Sequence, residues 1–262
     1  MSVAKIILLG CFGRMGEATS KLAATMPNVE IVYGTDMVAS QEPRSYPTSS
    51  SIGSCHTPAD AVISFLPPGA ADDLSAAIKY CIQKNIPLII CTTGLPQHIN
   101  QEIANAAAHI AIMHSPNMSL GVNLLASIVQ QAAKLLYNAH FDIEIVEKHH
   151  NKKIDAPSGT AVMLADTVNT ALGGNMQIVS DRSQTQAVRS RNEIGMHAVR
   201  GGTIVGEHSI IFAGQDEVVE ISHAALSRNV FAAGALEAAK FIAGKVPGMY
   251  TMQDLINEVA NV

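Results

Sequence analysis

A glycine-rich turn between two short aliphatic runs near the N-terminus limits the fold of this chain more than any other feature. Val3–Leu9 is typical of a strand buried on both faces of a parallel sheet. Three glycines follow at the spacing Gly10-x-x-Gly13-x-x-Gly16 and open a segment with a helical pattern. A second run, Glu30–Tyr33, completes a strand–helix–strand unit of the expected length. The chain is therefore predicted to begin as an α/β domain with a parallel sheet.

Strands and helices continue to alternate through the first half of the chain. The segment 38–58 contains prolines and a run of serines, and we predict a loop without regular structure there. The elements predicted after it are strand Ala61–Leu66, helix Ala70–Lys84, strand Pro87–Cys91, helix Gln97–Ala108 and strand Ile110–His114. This alternation favours a parallel sheet flanked by helices.

The pattern changes near residue 120, where we place a domain boundary. The next predicted elements are helix Val122–Tyr137, strand Phe141–Glu147, helix Ser158–Leu172, and the strands Glu193–Val199, Ile204–Ala213 and Glu217–His223. Alternation of apolar and polar residues in the last strand predicts an antiparallel or mixed sheet with one covered face. Helices are predicted again over 229–243 and 251–259. The second domain is thus expected to be α+β.

Composition excludes several classes of protein. Of 262 residues, 48% are hydrophobic and 15% are charged, which excludes a disordered chain. No apolar stretch approaches the ~18 residues of a membrane-spanning helix. The formal net charge of −5 argues against a general nucleic-acid-binding protein. We therefore expect neither a membrane nor a nucleic acid as a partner.

The cysteines predict a reducing compartment. The four of them, at positions 11, 55, 81 and 91, form no CxxC pair, so neither a disulfide framework nor a zinc site is expected. The N-terminal apolar run is short, lacks a small-residue cleavage site and continues into the glycine turn. We read no targeting segment in it and predict a cytoplasmic protein with free thiols.

The glycine turn and Asp36 together predict a dinucleotide site in a Rossmann-like domain. Backbone N–H groups at a helix N-terminus can face a pyrophosphate, and glycines permit its close approach. Asp36 lies 20 residues after Gly16, at the end of the second strand, where a carboxylate can accept hydrogen bonds from the adenosine ribose. Asp36 would repel a 2′-phosphate and so favours NADH, while the cation Arg14 leaves NADPH use open.

The segment 144–161 concentrates cationic and acid–base groups. His149, His150 and three lysines lie within six residues, between an apolar strand and the start of a helix. Exposed N–H groups of Gly159 and Thr160 at that helix start would bind a carboxylate. Metal binding by the two adjacent histidines is not expected, because neighbouring strand residues face opposite ways. The residues alone thus predict an anionic substrate, an acid–base pair and a nicotinamide cofactor.

This segment also carries a resemblance to a known family. The run Glu147-x-His149-His150-x-x-Lys153-x-Asp155-Ala156-Pro157-Ser158-Gly159-Thr160 resembles the signature of the 4-hydroxy-tetrahydrodipicolinate reductases, also called dihydrodipicolinate reductases. Further matches, in the family's order from residue 6 to about 235, are Gly13-Arg14-Met15-Gly16, Thr92-Thr93-Gly94, 116–123 and 200–208. The resemblance implies NAD(P)H-dependent reduction of a cyclic unsaturated imino-dicarboxylate in diaminopimelate and lysine biosynthesis.

The resemblance also implies a domain arrangement and an assembly. Residues 1–119 and 229–262 would form the dinucleotide-binding domain, because the C-terminal segment returns to it. Residues 120–228 would form the substrate-binding and oligomerisation domain, with a mixed sheet, in a homotetramer.

Individual roles follow from the matched positions. His149 is implied as general acid/base and Lys153 as proton donor, while His150, Gly159 and Thr160 would bind the substrate. The implied cofactor-binding residues are Gly10, Cys11, Phe12, Gly13, Arg14, Met15, Asp36, Cys91, Thr92, Thr93, Ser115, Pro116, Asn117 and Met118. The chain departs from the pattern at Phe12 and Cys91, where some members have glycine, and at Met37, where some have arginine.

Two other functions remain open at this stage. Another Rossmann-type imine or amino-acid dehydrogenase would share the glycine turn but not the double-histidine segment. A non-catalytic dinucleotide sensor would have no reason to keep Lys153 near His149. Of the histidines predicted on strands of the second domain, His197, His208 and His223, each is expected to be packed or hydrogen-bonded, with His208 the one expected to face the cleft.

Overall fold

The computed structural model describes residues 3–37, 43–183 and 186–260. The chain divides into two compact units, Met1–Leu120 with Arg228–Val262, and Gly121–Ser227. Across these described ranges, no helix is both long enough and apolar enough to cross a membrane.

The elements alternate as the α/β interpretation requires. The strands are β1 (Ala4–Leu9), β2 (Val29–Thr35), β3 (Thr48–Ser49), β4 (Ala61–Ser64), β5 (Leu88–Ile90), β6 (Ala111–His114), β7 (Asp142–His149), β8 (Gln177–Val179), β9 (Glu193–Arg200), β10 (Gly206–Ala213), β11 (Val218–Ala225) and β12 (Gly248–Tyr250). The helices are α1 (Arg14–Ala23), α2 (Ala71–Lys84), α3 (Gln97–Ala106), α4 (Leu120–Asn138), α5 (Gly159–Ala171), α6 (Asn229–Ile242) and α7 (Met252–Ala260).

The first unit is a parallel sheet with helices on both faces. Its strands lie in the order β12-β6-β5-β4-β1-β2-β3, and every neighbouring pair is parallel. Alternate residues of β1 enter opposite cores: Ile7 and Leu9 pack with α2 and α3, whereas Ile6 and Leu8 pack with α1, α6 and α7. This double burial explains why central stretches such as Ile6–Leu9 of β1 are continuous aliphatic runs. The predicted Rossmann-like fold is confirmed.

The second unit is a five-stranded mixed sheet covered on one face. Its order is β11-β10-β7-β9-β8, with β7 antiparallel to β10 and parallel to β9. Residues of β7 alternate between half-buried and buried, and the buried set packs with α4 and α5. The one-sided alternation seen in the sequence therefore corresponds to a sheet with one helix-covered face, and the predicted mixed sheet is confirmed.

Two short strands were missed by the sequence interpretation. The segment 38–58 was expected to lack regular structure, but Thr48–Ser49 pairs with the end of β2 and Ile52–Ser54 forms a 3₁₀ turn; residues 38–42 of that loop lie outside the described residues. Strand β12, which follows α6 and precedes α7 in the sequence, was also not predicted; it pairs with β6. Elements of two or three residues are too short to show a periodicity, and they form because a neighbouring strand offers hydrogen-bonding partners.

Candidate active site

The residues predicted for the cofactor lie at one edge of the first unit's sheet. The glycine turn, Asp36, Cys91–Thr93 and Ser115–Met118 directly follow β1, β2, β5 and β6, respectively. Because these strands are parallel, all four segments leave the sheet at its carboxyl edge. In open α/β sheets this is the edge that binds ligands.

The glycines of the turn are required by its backbone. Gly10 has a φ of +76°, and a Cβ there would lie 3.1 Å from the carbonyl oxygen of Phe65. A Cβ on Gly16 would lie 2.1 Å from the carbonyl oxygen of Gly10, so α1 packs directly onto the turn. Gly13 is the N-cap of α1 and carries no side chain over the first exposed N–H groups. This arrangement fits the close approach of a pyrophosphate.

Asp36 contacts the glycine turn itself. The backbone N–H of Phe12 donates a hydrogen bond to Asp36 Oδ2 at 2.9 Å. A small pocket beside Asp36 is lined by residues at and just after the end of β2, of the 48–54 segment and of α2, among them Thr35, Met37, Ser51, Ile52 and Asp73. The carboxylate therefore lies where the ribose of a dinucleotide was predicted, and it also holds the turn in place.

Arg44 belongs to this region and was missed by the sequence interpretation. Its guanidinium lies 5.0 Å from the centre of the Phe12 ring and donates a hydrogen bond to the Cys11 carbonyl at 3.0 Å. The residue lies in the segment that was interpreted as an irregular loop, where no periodicity indicates which side chains face the glycine turn.

Burial makes the thiols of two predicted cofactor residues, Cys11 and Cys91, harder to ionise than usual. Burial, assisted by the charge of Asp36, raises the pKa of Cys11 to about 11, and burial raises the pKa of Cys91. All four cysteines of the chain are free.

The segments after β5 and β6 are fixed by local hydrogen bonds. Thr92 Oγ1 donates to the Leu66 carbonyl at 2.5 Å, while Thr93 is exposed. Ser115 Oγ donates to the Asn117 carbonyl at 2.8 Å, and Asn117 Oδ1 accepts from the Ser119 N–H at the same distance. Pro116 is exposed, as are Arg14 and, at 70%, Met37.

In the second unit, a buried carboxylate organises the acid–base residues. Glu147, on β7, is fully buried. Its Oε2 lies 2.5 Å from His149 Nδ1 and accepts from Arg200 Nη1 at 2.8 Å. Its Oε1 accepts from Arg200 Nη2 at 2.7 Å and from the Ser158 N–H at 3.0 Å. One side chain therefore orients the histidine, the arginine and the start of α5.

This environment determines which nitrogen of His149 can exchange a proton. Burial lowers the pKa of His149, although the hydrogen bond and charge of Glu147 act in the opposite direction. Burial alone would raise the pKa of Glu147, but the hydrogen bonds from Arg200 and His149 hold it below the usual value. Because the Glu147 carboxylate accepts from Nδ1–H, Nε2 is the nitrogen left for chemistry. A Cβ on Gly206 would lie 3.0 Å from this Nε2.

Two of the predicted substrate-binding residues, Gly159 and Thr160, are the first residues of α5. Ser158 is the N-cap, and its Oγ accepts from the Ala161 N–H at 3.2 Å. Gly159 is exposed, and a Cβ there would meet nothing within 4 Å. Gly159 and Thr160 are thus the first residues of a helix whose N-terminus attracts anions. Lys153 Nζ donates to Asp155 Oδ2 at 2.8 Å, and this contact lowers the pKa of Asp155 against the effect of burial.

His208 is packed and hydrogen-bonded, as the sequence predicted. It is 4% exposed, and its Nε2 lies 3.0 Å from Ser158 Oγ. Its ring meets the His149 ring edge-on, with centroids 5.2 Å apart. His197 is also hydrogen-bonded, and it pairs with Glu144 at 2.7 Å.

The structural roles of Glu147 and Arg200 were also missed. A pattern in β7 could have indicated the first of them, because Glu147 shares its parity with Ile143, Ile145 and His149 and therefore lies on the buried face. Within the three described ranges, no group of three or more His, Cys, Asp or Glu side chains is arranged to hold a metal ion.

The fold and these residues together define a class of protein. A parallel sheet with a glycine turn at its carboxyl edge, joined to a second unit that carries a histidine–carboxylate pair, is typical of nicotinamide-dependent oxidoreductases. Comparison with known proteins makes the assignment specific. The family models "Dihydrodipicolinate reductase, N-terminus" and "Dihydrodipicolinate reductase, C-terminus" match residues 4–118 and 121–256. The chain belongs to the dihydrodipicolinate reductase family.

Individual relatives agree with this membership. The chain is 48% identical over 254 residues to the 4-hydroxy-tetrahydrodipicolinate reductase of Caldanaerobacter subterraneus subsp. tengcongensis, covering 97% of this chain and 98% of that one. It is 42% identical over 252 residues to the enzyme of the same name from Clostridium novyi, with coverages of 96% and 98%.

Solved structures confirm the fold. The dipicolinate-bound dihydrodipicolinate reductase from Paenisporosarcina sp. TG-14 superposes with a TM-score of 0.77 at 22% identity, covering 95% of this chain and 97% of that one. A myo-inositol 2-dehydrogenase from Lactobacillus plantarum reaches a TM-score of 0.61 at 11% identity, covering 97% of this chain and 94% of that one.

Proposed function

We propose that this enzyme reduces 4-hydroxy-tetrahydrodipicolinate to tetrahydrodipicolinate with NADH or NADPH, in diaminopimelate and lysine biosynthesis. Family membership over nearly the whole chain supports the reaction. The observation that carries the residue assignment is the His149–Glu147 pair at 2.5 Å, in the same unit as Lys153 and the N-terminus of α5.

In this proposal the 4-hydroxyl group of the substrate leaves as water, and the unsaturated ring gains a hydride and a proton. The nicotinamide supplies the hydride when the dinucleotide is bound. His149 exchanges a proton through Nε2, because Nδ1 is held by Glu147. Lys153 donates a proton and stabilises negative charge on the substrate.

The carboxylates of the substrate are assigned to the start of α5 and to His150. The N–H groups of Gly159 and Thr160 lie in the first turn of α5, where no acidic side chain competes with an anion. His150 directly follows β7 and is half-buried. Dipicolinate, a planar dicarboxylate, is expected to bind at the same residues.

Among the cofactors, we propose that NADH is preferred and that NADPH is also used. The predicted cofactor residues lie at one sheet edge, and the absence of a side chain at Gly10, Gly13 and Gly16 leaves room for the pyrophosphate. The Asp36 carboxylate disfavours a 2′-phosphate. Met37, exposed beside it, offers no cation.

We further propose that the first unit binds the dinucleotide, that the second binds substrate and forms the oligomer, and that the protein is a cytoplasmic homotetramer. The sheet face opposite α4 and α5 supports an oligomer, because it exposes Val199 at 45% and Val218 at 62%. The free thiols are consistent with a reducing compartment. Light scattering should give about four times the 27.6 kDa of one chain; the mass of one chain would contradict the tetramer.

The reaction is tested by following the oxidation of NADH and NADPH with freshly generated substrate. We expect His149→Gln and Lys153→Ala to lower kcat by ~10²–10⁴-fold while NADH still binds. Lys152→Ala, which changes the exposed neighbouring lysine, is the matched control and should keep kcat. If kcat were unchanged in both site variants, the roles assigned to His149 and Lys153 would be wrong. Dinucleotide binding without oxidation of either cofactor would instead favour a sensor, and oxidation with a different imine would favour another dehydrogenase.

A further inference from the structure

His208 contacts both parts of the proposed substrate site. From β10 its Nε2 reaches Ser158 Oγ at 3.0 Å, and its ring packs edge-on against His149 at an interplanar angle of 74°. Ser158 begins the helix whose first N–H groups are proposed to hold a carboxylate, and His149 is the proposed acid/base group. One buried side chain therefore bridges the proposed anion-binding group and the proposed proton-transfer group.

Stability alone does not explain a histidine at this position. The Nδ1 atom of His208 is buried and has no hydrogen-bond partner among the described residues. Burial, with a further contribution from His149, lowers the pKa of His208 to about 4, so the ring is neutral near neutral pH. A buried polar atom without a partner destabilises the folded state, and a phenyl ring would carry no such atom. The unpartnered nitrogen of His208 is therefore a feature that stability does not explain.

The hydrogen bond to Ser158 explains what the histidine contributes. Ser158 is held at its backbone N–H by Glu147 and at its Oγ by His208, while the same Oγ accepts from the Ala161 N–H. These contacts fix the orientation of the first turn of α5. Glu147 also hydrogen-bonds His149, so one buried carboxylate orients both the start of α5 and the His149 ring.

We propose that His208 is a positioning residue that holds the N-terminus of α5 at a fixed distance from the His149 ring, so that a substrate carboxylate and the proton-transfer nitrogen keep their separation. The inference rests on the proposed function, because it assigns His208 to the substrate site of that reaction. His208 acts through Ser158 and His149.

The test compares two variants that separate packing from hydrogen bonding. His208→Phe keeps a ring against His149 and removes the hydrogen bond to Ser158, whereas His208→Gln keeps a polar group at the reach of Nε2. We expect His208→Phe to raise the KM for the substrate and the Kd for dipicolinate about tenfold, with kcat changed less than about threefold. His208→Gln should return both constants to within about threefold of the wild type. The Kd for NADH should not change, and His98→Phe, at an exposed position on α3, is the control.

Thermal unfolding gives a readout that a merely structural role would not reproduce. We expect the Tm of His208→Phe to stay close to that of the wild type, because removal of the unpartnered nitrogen offsets the lost hydrogen bond to Ser158, even though substrate binding weakens. A KM and a dipicolinate Kd equal to the wild type in His208→Phe would overturn the proposal, as would a loss of Tm with no change in KM. If this variant does not fold, Ser158→Ala removes the same hydrogen bond from its other end, and an unchanged KM there overturns the proposal equally. Failure of the proposed function would appear differently, as a wild-type protein that binds NADH and does not oxidise it.

Discussion

Replacing Glu147 with Gln tests the network at the centre of the proposed site. The amide is almost the same shape as the carboxylate, so packing is retained and charge is removed. Each carboxylate oxygen accepts two hydrogen bonds: Oε1 from Ser158 and Arg200, and Oε2 from His149 and Arg200. Whichever way the amide is turned, its NH₂ group faces two donors. Two hydrogen bonds are lost, and the Arg200 guanidinium loses its buried counter-ion.

The expected cost is large for a single isosteric change. A hydrogen bond to a charged group contributes about 1.5–3 kcal/mol, and breaking a buried ion pair from one side costs about 3–5 kcal/mol. The Arg200 side chain is 20% exposed and recovers part of its hydration, so we expect the free energy of unfolding to fall by about 3–4 kcal/mol.

Urea unfolding followed by far-UV circular dichroism measures this difference in a chain without Trp. Glu207→Gln is the matched control, because it makes the same substitution on the adjacent strand β10. Its partner is Lys148 at 3.0 Å, and the two side chains are 39% and 43% exposed, so solvent screens the pair and the cost should be at most about 1 kcal/mol. A Glu147→Gln protein within about 1 kcal/mol of Glu207→Gln would refute the role given to the buried carboxylate.

Three further results are expected. Gly16→Ala should weaken NADH binding at least about tenfold, because the new Cβ would lie 2.1 Å from the Gly10 carbonyl oxygen; Gly69→Ala, where a Cβ meets nothing within 4 Å, is the calorimetric control. The folded-state pKa of His208, about 4, lies below the unfolded value of ~6.5, so the wild type loses stability as the pH falls from 6.5 through 4. Urea titrations should therefore show that the free energy of unfolding of His208→Phe, relative to that of the wild type, rises by about 2–3 kcal/mol between pH 7.5 and pH 4.5. A difference that does not change with pH would contradict burial as the cause of the low pKa. Asp36→Asn can still accept the Phe12 N–H but loses its charge, so kcat/KM for NADPH relative to NADH should rise about tenfold in steady-state assays, and an unaltered ratio would count against Asp36 as the selecting residue.

Much of the fold could be predicted because its causes are local in the chain. Doubly buried stretches such as Ile6–Leu9 of β1 are aliphatic at every position, whereas β7 alternates, and this difference separated the parallel sheet from the mixed one. The glycine turn could be predicted for the same reason, since the φ of Gly10 and the packing of Gly16 forbid side chains there. Strands β3 and β12 escaped prediction because their formation depends on the neighbouring strands β2 and β6.

The candidate site also has a part that the sequence shows and a part that it does not. His149, Lys153 and Gly159 lie within eleven consecutive residues, so one segment of sequence displays the acid–base groups and the helix start together. The partners that set their properties are distant: Arg200 is separated by 53 residues from Glu147, and His208 by 50 from Ser158. No local pattern indicates such pairs.

By itself, the sequence determined the order of the longer strands and helices, the glycine turn, the histidine–lysine segment and the family. Only the tertiary structure decided that Glu147 is a buried, ionised carboxylate shared by His149 and Arg200, that Arg44 lies over Phe12, and that His208 is neutral behind the site. The physical reason is that periodicity and backbone conformation arise from neighbours along the chain. Desolvation and hydrogen bonding, which set the charge and orientation of a side chain, arise from neighbours in space.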